Sequence, residues 1–191
     1  MKTITSIMNT EWKNRALYVL EERAVPNIMD GFKPVQRYLY YLGTKSKGKM
    51  EKVASIAGNL ASVGYHHGET SGAAALTNMA TFYKNNLPIF EGEGNFGNRF
   101  DDKPSQPRYI FSKLASYTDK LFLDTELAPK HEDEEHIPPK YYLPIIPMCL
   151  VNGIKGIATG WAVDIPPHCP ESVIDAMIAK HIVTGKQIIL S

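Results

Sequence analysis

The chain has 191 residues, of which 43% are hydrophobic and 21% charged, and its formal net charge is +1. That length suits one ordinary domain, or one domain and the start of a second, and the composition excludes a disordered chain. No apolar run nears the roughly 18 residues of a membrane span, and the N-terminal MKTITSIMNTEWKNRA lacks the apolar stretch of a signal peptide, so a cytoplasmic protein with no membrane attachment is expected.

Residues 10–25 predict an amphipathic helix, with Thr10 as N-cap and Trp12, Ala16, Val19 and Leu20 at helical spacing. Pro26 stops it, and Asp30-Gly31 marks a turn. A second helix starts near Pro34, carries Val35, Leu39 and Leu42, and ends at Gly43. After a basic connector, residues 51–63 predict a third helix whose Ala54, Ala57, Gly58 and Ala61 permit close crossing. Gly64 interrupts the pattern, and an Ala- and Thr-rich fourth helix is expected over residues 69–84. Helices joined by a tight glycine turn suggest the helix-turn-helix class.

From residue 87 glycines, prolines and aromatics alternate at short spacing, the texture of short strands, a wing and an active-site loop. Helical spacing returns over residues 111–123. HEDEEH, residues 131–136, reads as a hydrated acidic loop more readily than as a metal site. Residues 141–153 read as a strand interrupted by Pro144 and Pro147, and residues 154–167 as a second glycine-rich segment. A last helix opens at Pro170-Glu171, and the apolar QIILS that ends the sequence suggests a chain cut inside a domain. Cys149 and Cys169 form no CxxC pair, which argues against a zinc site or a disulfide framework.

Charge is unevenly spread. Residues 1–120 hold 16 Lys/Arg and 11 Asp/Glu, net +5, whereas residues 121–191 hold 5 and 9, net −4. A basic front half suits a polyanion, although solvated lysines explain the same count. Within it, Lys33 and Arg37 stand four apart, so on one helix they would share a face and could clamp a phosphate; two solvated cations are the plainer alternative. His66-His67 could move protons or bond a phosphate, or simply bond backbone at a helix start. In PSQPRYIF, Arg108 places a cation beside the Tyr109 phenol. A phenol is a weak nucleophile at its ordinary pKa near 10, but cations around a phosphate can offset the charge that develops on attack. Packing is the commoner use of a loop tyrosine. There is no Walker loop, and GEGNFG (residues 92–97), although spaced as GxGxxG, lies in loop and short-strand texture rather than at the head of a helix, so no ATP site of the chain's own is expected.

Taken in order, VLEERAVPNIMDGFKPVQRYLYY, ASIAGNLASVGYHHGETS, EGEGNFGNRFDDKPSQPRYIF and YLPIIPMCLVNGIKGIATGW resemble the type IIA DNA topoisomerases, over roughly residues 10–170. HHGE and PRYIF are closer to the eukaryotic and T-even phage branch than to gyrase, and DTELAPKHEDEEHIPPKYYLPIIP to the phage branch, where the cleaving subunit is a separate chain. The resemblance implies an α+β fold: a winged-helix domain of the helix-turn-helix class over residues 1–145, then the incomplete start of an α/β tower domain over 146–191. It implies that Tyr109 attacks DNA to form a 5′-phosphotyrosine link, with Arg108, Arg37 and His67 around the phosphate. Lys33 and His66 would contact DNA, and Ile157 would wedge between base pairs. No metal ligand is expected on this chain. Mg²⁺ would be held mainly by the Toprim domain of a partner subunit that also uses ATP, and the cleaving subunits would pair as a homodimer on double-stranded DNA. The setting would be the host cytoplasm for a phage-encoded chain. Two rivals stay open: a non-catalytic winged-helix DNA-binding module, and an inactive fragment.

Overall fold

The computed structural model describes residues 3–132 and 135–184. A long helical rod comes first. α1 (Ile4–Ile7) and α2 (Lys13–Val19) alternate with two π-helical turns, Met8–Trp12 and Leu20–Ala24. The N-cap is Thr3, whose side chain accepts from the Ser6 N–H, so the helix begins a turn or more ahead of the expected Thr10. Its expected apolar stripe is only half-covered: Ala16, Val19 and Leu20 are partly buried, and Trp12 is exposed.

α3 (Pro34–Lys45) begins with proline in its first turn, where a missing N–H costs nothing. It buries Tyr38, Leu39 and Tyr40. The expected third helix is shorter than its composition suggested. β1 (Glu51–Lys52) leads into α4 (Val53–Gly58), and a separate 3₁₀ turn, Ala61–Val63, follows. Gly64 then takes a left-handed φ of 93° with a Cβ position only 2.2 Å from the Glu135 carbonyl oxygen, so no side chain fits there. α5 (Glu69–Ala80) crosses α4 closely, and a Cβ at Gly72 would stand 2.2 Å from the Leu60 side chain just beyond α4.

β2 (Phe90–Glu93) and β3 (Phe111–Leu114) pair antiparallel, and β1 adds to the other side of β3, giving the order β1-β3-β2. The helix expected over residues 111–123 is therefore a strand followed by the single turn α6 (Thr118–Leu121). Ser112 and Leu114 are buried while Phe111 and Lys113 are half-exposed, a period of two that the longer helical pattern masked. Where a prolined strand was expected, Pro147 precedes the short helix α7 (Met148–Val151). The glycine-rich segment is a hairpin, β4 (Ile154–Ala158) with β5 (Trp161–Ile165), and α8 (Pro170–Thr184) ends the described chain. The terminal QIILS lies outside the described residues.

One apolar core joins these elements, running from Leu39, Ile56 and Leu76 through Phe90 and Ile110 to Met148, Val151 and Val173. Among the described residues no helix is long and apolar enough to cross a membrane. Three helices leading into a small antiparallel sheet make this an α+β fold of the winged-helix class.

Candidate nucleic-acid cleavage site

The loop between β2 and β3, residues 94–110, carries Arg108 and Tyr109. It is pinned on both sides of the tyrosine. The Val53 N–H donates to the Ile110 carbonyl (3.0 Å) and the Ala54 N–H to the Pro107 carbonyl (3.1 Å). These are first-turn amides of α4, which lack partners inside their own helix, so the loop and the helix satisfy each other. The Tyr109 N–H closes a turn onto Gln106 (2.9 Å), and the Ile110 side chain is buried in the core. Between these anchors Tyr109 is 67% exposed. The Arg108 guanidinium lies 5.3 Å from the centre of its ring, within cation–π range. The phenol is thus held by backbone, presented to solvent and accompanied by a cation.

His66 and His67 sit on the turn between Gly64 and α5. His66 is exposed and pairs with Glu135 at 2.9 Å. His67 is half-buried, its ring edge-on to Tyr65 at 5.1 Å. Burial pushes its pKa down, and the positive charges of Arg23, His66 and Arg15 push the same way, against an opposing Glu22. The imidazole is therefore neutral near pH 7, free to accept or donate one hydrogen bond. A cavity of about 270 Å³ opens beside it, lined by Tyr18, Glu22, Tyr38, Tyr65, both histidines and His136.

Arg15 and Arg23 were not singled out in the sequence. Both are exposed, and both act on His67 through space. Arg23 lies in the π-helical turn Leu20–Ala24, which advances by a smaller angle per residue than an α-helix. A 3.6-residue period therefore does not place it, although a cation just before Pro26 was visible in the sequence.

The structure places Arg37 inside the fold. It is 6% exposed and its guanidinium is committed to Asp30, with Nε to Oδ2 at 2.8 Å and Nη2 to Oδ1 at 3.2 Å; Nη2 also donates to the Phe32 carbonyl. Asp30 is fully buried and accepts further from the Phe32 and Tyr142 N–H groups. Lys33 is the residue before the helix rather than part of it, and half-buried. Lys33 and Arg37 therefore share no exposed face, and Arg37 is a structural cation.

Ile157 is 74% exposed near the tip of the β4–β5 hairpin. The hairpin base leans on the end of the N-terminal rod: a Cβ at Gly156 would stand 2.3 Å from the Ala24 carbonyl oxygen. Only glycine allows that approach, and it sets the Ile157 hairpin against the turn bearing Arg23. Among the described residues no hydrogen bond, ion pair or ring contact joins Tyr109 to His67. No group of three or more His, Cys, Asp or Glu side chains there is placed to hold a metal ion. Both cysteines are free.

Residues 23–190 match the family model for the A-type subunit of DNA gyrase/topoisomerase IV. The chain belongs to this family. It is 47% identical to the DNA topoisomerase medium subunit of Enterobacteria phage T4 over 181 residues, 93% of this chain and 41% of that protein. It is 41% identical to DNA topoisomerase 2 of Bombyx mori over 162 residues, 80% of this chain and 10% of that protein. In structure it matches the DNA-binding, cleavage and re-ligation domain of Plasmodium falciparum topoisomerase II with a TM-score of 0.83 and 36% identity, across 96% of this chain and 26% of that one. The chain thus spans less than half the length of these relatives.

Proposed function

We propose that this chain is the DNA breakage-and-rejoining part of a type IIA DNA topoisomerase, with Tyr109 as the nucleophile. The observation that carries this reading is the exposed phenol beside Arg108, on a loop pinned at Pro107 and Ile110. The relatives named as topoisomerases supply the class of reaction.

In the reaction the Tyr109 oxygen bonds to a backbone phosphorus and gives up its proton. The bond from phosphorus to the 3′ oxygen breaks, and that oxygen leaves as a hydroxyl after protonation. The product is a 5′-phosphotyrosine link, and attack by the 3′ hydroxyl reverses it. Arg108 stabilises the charge on the phosphate oxygens. His67, neutral in its cationic surroundings, donates or accepts a hydrogen bond at the same phosphate, with Arg23 in the role the sequence suggested for Arg37. Lys33 and His66 contact the DNA backbone, and Ile157 wedges into a base step.

This reading includes a winged-helix unit over residues 1–145 and the start of a tower domain from 146. It also includes a homodimer of cleaving subunits, and a partner subunit that uses ATP and holds Mg²⁺ in its Toprim domain. The ion supplies charge neutralisation at the phosphate. Passage of a second duplex through the break belongs to the whole assembly.

The test is a suicide substrate, a nicked duplex that traps the covalent link, incubated with the chain, Mg²⁺ and the partner subunit. A DNA-linked peptide containing Tyr109 is expected, and Tyr109→Phe should abolish the adduct while leaving duplex binding nearly intact. Adducts formed by the Phe variant would overturn the assignment and favour a non-catalytic winged-helix module.

A further inference from the structure

The loop that ends in Tyr109 carries a second exposed aromatic at its tip. Phe100 has full solvent exposure. Its position is fixed by a side chain–backbone network. The Asn98 carboxamide oxygen accepts from the Phe100 N–H (2.9 Å) and the Asp101 N–H (3.1 Å), and the Asn98 N–H donates to the Asp101 carbonyl (2.7 Å). The Asp101 carboxylate accepts the Lys103 N–H at 3.2 Å. Below this tip the Ser105 N–H donates to the Asn95 carbonyl (2.9 Å), which closes the neck of the loop.

An isolated surface phenylalanine is ordinary. This one is held out on a bonded turn, with Arg99 and Lys103 on either side and Arg108 further along the same loop. Asp101 and Asp102 also border the ring, and the Asp101 carboxylate accepts the Lys103 N–H within the turn. The other limb of the loop, residues 104–107, lies along α5, and a groove of about 330 Å³ between them is lined by Thr70, Ala74 and Asn78. Helix and loop limb thus form one surface, which the chain joins to the tip through Lys103. An apolar ring flanked by cations matches the chemistry of a nucleic-acid wedge: the cations meet phosphates while the ring fills an opened base step.

We propose that Phe100 inserts into the bound duplex as a second wedge, separate from Ile157. This rests on the reading that the chain binds duplex DNA. The ring enters from the wing side, near the phosphate that Tyr109 attacks, whereas Ile157 enters from the β4–β5 hairpin.

The test uses the full chain in complex with its partner subunit, on duplexes carrying 2-aminopurine at successive positions, a base whose fluorescence rises when it is unstacked. The wild-type protein should brighten two separate steps for each cleaving subunit of the homodimer. Phe100→Ala should darken one of them, weaken binding about tenfold and leave the melting temperature unchanged. Ile157→Ala should darken only the other, and Phe100→Trp should retain both. If Phe100→Ala leaves every bright position and the affinity unaltered, the wedge is wrong while the DNA reading stands. A Phe100→Ala variant that loses its partner subunit but keeps the fluorescence pattern also overturns it, in favour of a protein-docking role. No duplex binding by the wild-type protein would overturn both.

Discussion

Arg37 and Arg108 show how one residue type serves two ends. Arg37 neutralises Asp30, whose carboxylate also gathers the Phe32 and Tyr142 amides, so a single buried ion pair ties α3 to the turn before it and to the distant segment at Tyr142. Removing one partner of such a pair leaves an uncompensated buried charge and costs roughly 3–5 kcal/mol. Arg37→Ala should therefore lower the denaturation midpoint sharply. Arg108→Ala, on an exposed side chain, should leave the midpoint unchanged and slow cleavage on the order of a hundredfold. Equal midpoints for the two variants would contradict the structural role of Arg37. His67 gives a pH test. Its folded pKa lies below the ordinary value near 6.5, chiefly because burial and Arg23 disfavour the cation. Between the folded and unfolded pKa values the unfolded chain holds more protons. Stability from this group is thus complete above the unfolded value and is lost as pH falls through the folded one. His67→Gln should flatten the decline of the melting temperature below about pH 6.5, and an unchanged slope would contradict a depressed pKa.

At the scale of elements, what the sequence conveyed depended on how local the signal was. Pro34 at the head of α3 and Gly64 before the histidine pair are local signals, and both mark real boundaries. The stretch 111–123 misled because a four-residue strand and a one-turn helix together imitate helical spacing. The short helix at Met148–Val151 was obscured by the prolines before it. In the candidate site, the cation beside the Tyr109 phenol was legible from their adjacency, whereas the burial of Arg37 was not. Four residues of spacing fix which residues can share a helix face; whether that face meets solvent is decided by tertiary packing, here around Asp30, which the remote Tyr142 N–H also bonds. The β4–β5 hairpin yields a prediction of this kind. Its core anchor is Ile154, and Ile157 stands clear of the core. Ile157→Ala should leave the melting temperature within a degree or so, since exposed substitutions usually cost under about 0.5 kcal/mol. It should reduce DNA bending measured by end-to-end fluorescence transfer. A large fall in melting temperature with unaltered bending would reject the wedge.

At the scale of the whole molecule, the basic front half is a weak statement until the structure sorts its cations. Arg37 is sequestered by Asp30, and Lys113 pairs with Glu91. Arg15, Arg23 and Arg108 are exposed, and they cluster by His67 or Tyr109. Phosphate contacts release counterions, so the logarithm of affinity falls linearly with the logarithm of salt concentration, by about 0.9 per phosphate neutralised on duplex DNA. Replacing a residue that touches a phosphate should lower that slope by about one, while replacing a buried cation should not. Alanine at Arg15, Arg23 or Arg108 should thus each reduce the slope, measured by fluorescence anisotropy of a labelled duplex across a salt series. For Arg37, where alanine compromises folding, methionine preserves much of the volume; Arg37→Met, in whatever fraction remains folded, should retain the wild-type slope. A slope reduced by Arg37→Met but not by Arg23→Ala would reverse the assignment of the two arginines and return Arg37 to the phosphate.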